Sequence, residues 1–153
     1  MKKTFKHIIT IFSFLLIFIT NISIANATVL SNFNNDYYLE TVITDANPTF
    51  SFSTLQSNSH TITKTKTTNI KNTNGAILWS VSITATFTYD GSTSRCISCS
   101  PSAETYSSSW TIQSTSSSKS GNSATAVATA NYASLKNYTQ SVTISCSKNG
   151  TVS

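Results

Sequence analysis

Charge is scarce in this chain, and acidic charge scarcest: 153 residues carry ten Lys and Arg but only five Asp and Glu. The acids, Asp36, Glu40, Asp45, Asp90 and Glu104, are scattered, and His60 is the one histidine beyond the first ten residues. A Ser-His-Asp triad would have to use His60 as its base, and no Gly-x-Ser-x-Gly turn is present to hold a nucleophile. No motif singles out two carboxylates as the couple that cleaves a glycoside. The sequence therefore offers no catalytic residue, no cofactor motif and no enzyme activity. Only Pro48 and Pro101 interrupt it, which speaks against a Ser/Thr-rich disordered stalk.

What the chain does have begins with a leader. Met1-Lys2-Lys3 opens it, an apolar run extends from Ile8 to Ile19 with Thr10 and Ser13 interrupting, and Ala25-Asn26-Ala27 precedes Thr28. A basic start, an apolar run and an Ala-x-Ala site are the pattern of a signal peptide, residues 1–27. The run is shorter than the ~20 residues of a spanning helix. The expected product is secreted and extracellular, meeting a membrane only during export. Seven basic and five acidic residues follow position 27, a net charge of +2, so the overall pI of 9.2 gives no reason to expect nucleic acid.

The rest is organised around Trp79–Tyr89. Apolar residues fall at 79, 81, 83, 85, 87 and 89 with Ser or Thr between, the period of a half-buried strand. Asp90-Gly91 then predicts a tight hairpin turn. Residues 28–59 are poorly patterned, with a short or edge strand over Tyr37–Ile43. Residues 60–153 form the predicted domain. His60–Ile70 reads as an edge strand guarded by Lys64 and Lys66, and Asn72–Gly75 as a turn. A return strand is predicted over Thr93–Ser98, a loop over Ser100–Ser107 and a strand opening at Trp110-Thr111-Ile112. Ser118–Asn122 is a turn. Ala124–Ala130 is a strand whose alanines suit the space beneath Trp79 or Trp110, Asn131–Tyr138 a connector, and Gln140–Ser147 a last strand. Short strands with turns between them predict a small antiparallel β-sandwich.

Six stretches, Lys64-Thr65-Lys66, Leu78-Trp79-Ser80-Val81, Phe87-Thr88-Tyr89-Asp90-Gly91, Ser109-Trp110, Lys119-Ser120-Gly121-Asn122 and Cys146-Ser147-Lys148-Asn149-Gly150, resemble small exported all-β proteins of low-GC Gram-positive bacteria. The likeness covers about residues 60–153. It implies export, a small β domain and no catalytic residue to carry over. Such proteins look to have one cysteine near position 96 and one near the end, so Cys99 is a departure. The spacing Cys96, Trp110, Cys146 also resembles immunoglobulin-like domains, where a tryptophan covers an inter-sheet disulfide. Ile144 stands where the tyrosine corner would place Tyr.

Three cysteines in an exported chain allow one disulfide and leave one thiol. With a two-residue Asp90-Gly91 loop, Ala85 faces Cys96, so Cys96 points inward and Cys99 outward; a four-residue loop keeps that parity. Cys146 alternates with Val142 and Ile144 on an inward face. Cys96 with Cys146 is the expected disulfide, and Cys99 the free thiol. Cys96-Ile97-Ser98-Cys99 lacks the helix N-terminus that activates a redox dithiol. A zinc site from Cys96, Cys99, Cys146 and His60 has poor spacing. The expected function is a secreted, non-catalytic binding or surface-interaction module. Its partner would be cell-wall polysaccharide or a surface protein, met by Ser/Thr rows or by Tyr37, Tyr38, Tyr132 and Tyr138. The alternative is a membrane-active toxin, with Ala124–Ala130 as the segment entering lipid.

Overall fold

The computed structural model describes residues 27–32, 37–46 and 59–153. The predicted leader, except its last residue, lies outside them. Eight strands make the described fold: β1 Ala27–Asn32, β2 Tyr37–Asp45, β3 His60–Asn72, β4 Ile77–Tyr89, β5 Ser94–Thr105, β6 Trp110–Ser120, β7 Ser123–Tyr132 and β8 Lys136–Ser145. All pairings are antiparallel, in a five-stranded sheet ordered β1-β2-β3-β4-β5 and a three-stranded sheet ordered β6-β7-β8. The inner faces of the two sheets share one core, the layer arrangement of a sandwich. Strand order follows chain order, whereas an immunoglobulin domain interleaves strands between its sheets.

β4 is the axis, as its period-two pattern predicts. Trp79, Val81, Ile83, Ala85 and Phe87 are all at most 1% exposed, and each large side chain buried this way stabilises the fold by roughly 1.5–3 kcal/mol. Opposite them Ala124, Ala126, Ala128 and Ala130 are equally buried. The small residues of β7 leave room for the large ones of β4, so the two faces interlock. Val142, Ile144 and Cys146 complete the small sheet's inward row.

Several boundaries differ from expectation for identifiable reasons. β3 is an interior strand, paired with β2 over Lys64–Asn72 and with β4 over His60–Lys71. Its lysines do not guard an edge; Lys64 pairs with Asp45 of β2. β2 in turn has β1 on its other side, so the weakly patterned segment before His60 adds two strands to the large sheet. Pro101 does not open a loop. It sits inside β5, opposite Ile83, because β5 is an edge strand and an edge tolerates a residue with no N–H to donate. β6 begins at Trp110 as predicted and runs to Ser120, and a two-residue Gly121-Asn122 turn joins it to β7. Residues 133–135 make only a tight turn, in which Ala133 and Ser134 have φ of 49° and 60°. Neither is Gly or Asn, so the turn carried no signal in the sequence.

Two further turns follow from side-chain chemistry. Asn72 Oδ1 accepts from the N–H groups of Asn74 and Ala76 at 3.1 and 3.0 Å, and Gly75 takes the positive φ. Asp90 Oδ1 accepts from the N–H groups of Ser92 and Thr93 at 2.8 and 2.7 Å, closing a four-residue loop. These bonds hold the Asp90 carboxyl below the usual aspartate range, led by the Thr93 N–H.

Candidate functional site

The four-residue loop places Phe87 opposite Cys96 and keeps Cys96 inward, 3% exposed. A bulge at Ile97 then shifts the register, so that Thr86 faces Ser98 and Ala85 faces Cys99. One extra residue exchanges the two faces of everything downstream. Cys99, expected to point outward, therefore lies on the inner side against the core, with its Sγ 3.7 Å from Ser117 Oγ of β6. Ile97 itself is exposed, and its carbonyl accepts from Lys119 Nζ.

Cys96 and Cys146 come to the same end of the sandwich from opposite sheets. The Cys96 N–H donates to Gly121 O at 2.8 Å and the Cys146 N–H to Asn122 O at 3.0 Å, neighbouring carbonyls of one turn. Ser94 Oγ and Asn122 Nδ2 both donate to the Cys146 carbonyl. All three cysteines are thiols. Burial pushes the Cys96 thiol up, with the nearby Cys99 adding to it, and burial does the same to Cys146. His60 is exposed in the same region, its ring 5.4 Å from that of Tyr89. Gly150 closes this end: a Cβ there would stand 2.7 Å from Tyr89 Cε2.

Trp110 is not at this end. It opens β6, an 11-residue strand that at the usual rise is roughly 35 Å long, while Gly121 follows its far terminus. A tryptophan covering a Cys96–Cys146 pair is thus corrected by the register. Trp110 instead stacks on Trp79 with centroids 6.1 Å apart and meets Tyr37, Tyr132 and Tyr138 at 5.9, 5.2 and 5.1 Å. Of the four tyrosines expected as ligand-facing, three gather here. Lys136 Nζ lies 5.0 Å from the Tyr138 ring centre. The nearby turn at residues 133–135 exposes Leu135 at 84%.

Hydroxyl groups cover the outer face of the large sheet. Thr63 bonds Thr86 at 3.0 Å, Thr65 bonds Thr84 at 2.8 Å and Thr67 bonds Ser82 at 2.8 Å, each across β3 and β4. Register continues these ranks to Ser98, Ser100 and Ser102 of β5. Strand geometry spaces the hydroxyls ~4.8 Å across the sheet and ~6.8 Å along it. Each pair spends one donor and one acceptor, leaving a donor and three lone pairs for another molecule. Charged groups stand at the margin: Glu40 is held below the usual glutamate range chiefly by its bond to Lys71, 2.7 Å away. The small sheet repeats the motif with Thr125 to Thr143 at 2.8 Å and Thr129 to Thr139 at 2.9 Å. The alternation of Ser and Thr announced these faces; which residues align into ranks required the register. No family model, curated protein or solved structure matches the chain.

Proposed function

We propose that the protein is an exported, non-catalytic binding module whose large-sheet outer face recognises a neutral, hydroxyl-rich polymer of the cell-wall polysaccharide class. The observation that carries this reading is the block of ranked hydroxyls from Thr63 to Ser102, which has no charge in its middle and keeps free donors and acceptors. A hydroxylated polymer laid across the strands exchanges water for hydroxyl partners at many points. Each such bond is weak, about 1 kcal/mol net, so affinity comes from the number of ranks engaged. On oxidation, a Cys96–Cys146 disulfide joins the sheets and leaves Cys99 as the free thiol; the supporting geometry is their burial from opposite sheets against one turn.

Sedimentation of the purified protein with insoluble wall polysaccharide, alongside release of dye from loaded liposomes, tests the function. Pelleting with the polysaccharide is expected, together with a loss of about tenfold in affinity, some 1.4 kcal/mol, for a folded Thr65→Glu, Thr84→Glu variant. Dye release without pelleting would replace this reading with membrane activity, and pelleting only with protein-bearing cell surfaces would point to a surface protein.

A further inference from the structure

The aromatic end holds a cavity of about 10 Å³, walled by Tyr37 and Leu39 of β2, Ile70 of β3, Trp79 of β4, Trp110 of β6 and Tyr138 of β8. Thr139 and Gln140 of β8 complete it. That volume accommodates one water-sized atom. Trp79 is 1% exposed, and its indole Nε1–H is a buried donor with no acceptor in the structure. An unmet buried donor costs on the order of 1–3 kcal/mol, so an acceptor oxygen beside it has a definite attraction. None of the lining residues is charged. Tyr37, Leu39, Tyr138 and Gln140 are all partly exposed, so the cavity reaches the surface where the β8 edge passes over β2 and β3.

We infer that this cavity is a subsite for a single neutral sugar residue, distinct from the hydroxyl ranks on the outer face. One hydroxyl oxygen of the sugar enters the cavity and accepts the Trp79 Nε1–H bond. The ring stays at the mouth, where the apolar C–H side of the sugar meets the electron-rich faces of Tyr37 and Tyr138. Gln140, on the same inward row as Tyr138, offers an amide to the outer oxygens. A sugar suits the site because it combines an apolar face with a projecting hydroxyl. An anionic group inside the cavity would be desolvated against uncharged walls; Lys136, whose Nζ lies 5.0 Å from the Tyr138 ring centre, is not among them. A purely apolar ligand would leave the Trp79 donor unmet.

The test follows the two indole N–H signals in ¹H–¹⁵N spectra of the full exported protein during titration with cellotetraose, chitotetraose and mannotetraose. The expected result is a saturable shift of the Trp79 signal with at least one of them. Tyr138→Ala and Gln140→Ala should weaken that response about tenfold, and Trp79→Phe should weaken the shift of neighbouring amides by a similar factor. The Thr65→Glu, Thr84→Glu variant should respond like the parent, which separates this subsite from the outer face. A Trp79 signal unmoved by all three sugars at millimolar concentration overturns the inference, as does parent-like binding by Tyr138→Ala.

Discussion

The two ends of the sandwich are closed by different means. At the Trp79 end, rings from β2, β4, β7 and β8 pack around Trp110 of β6, and one buried donor, Trp79 Nε1, is left unmet. At the Cys96 end, backbone bonds cross between the sheets: Cys96 N–H to Gly121 O, and Gly91 N–H to Lys148 O at 2.9 Å. Ring packing is strong but adaptable, since it depends on shape rather than on a fixed donor and acceptor. Crossing hydrogen bonds fix register and leave little to satisfy. The unmet polar group and the cavity both lie at the end closed by rings.

Substituting Trp110 tests the ring-closed end most severely. Trp110→Ala removes four aromatic contacts and is expected to cost about 3–5 kcal/mol in urea unfolding, a large share of the stability of a domain this size. A loss below about 1 kcal/mol would show that the rings fill space without holding the sheets.

The opposite end is tested by oxidation. A Cys96–Cys146 disulfide should add about 4 kcal/mol through the unfolded state, read as the difference in unfolding free energy between oxidised and reduced protein. Non-reducing peptide mapping identifies the bond. A Cys96–Cys99 link would mean that the bulge at Ile97, which puts both thiols on one face, governs the pairing instead.

The smallest effect concerns the Asp90 turn at the same end. Its carboxyl is held below the ordinary value by the N–H groups of Thr93 and Ser92. The stability this contributes is present above the unfolded value of ~3.9 and is lost as pH falls through the depressed folded value. Acid titration of stability should therefore be shallower in Asp90→Ala than in the parent. Identical slopes would show that the turn does not depend on the carboxylate.

The sequence by itself determined the strand at 79–89, the alanine face at 124–130, the inward row Val142, Ile144 and Cys146, the turn at Asn72–Gly75 and the place of the turn that opens at Asp90-Gly91, which spans four residues rather than the two of a tight hairpin. Each rests on local rules: period-two alternation places side chains on faces, and Asn, Asp and Gly form turns through their own side chains or backbone freedom. Only the tertiary structure decided that β3 is interior, that Pro101 lies within a strand, that Cys99 faces inward and that Trp110 stands far from Cys96. Edge or interior depends on which strands arrive beside one, and that is not written locally. A single bulged residue at Ile97 costs little in the strand that carries it, yet it reverses the faces of all that follows. The cavity beside Trp79 was beyond reach of the sequence for the same reason, because its walls come from five strands brought together by register and sheet packing.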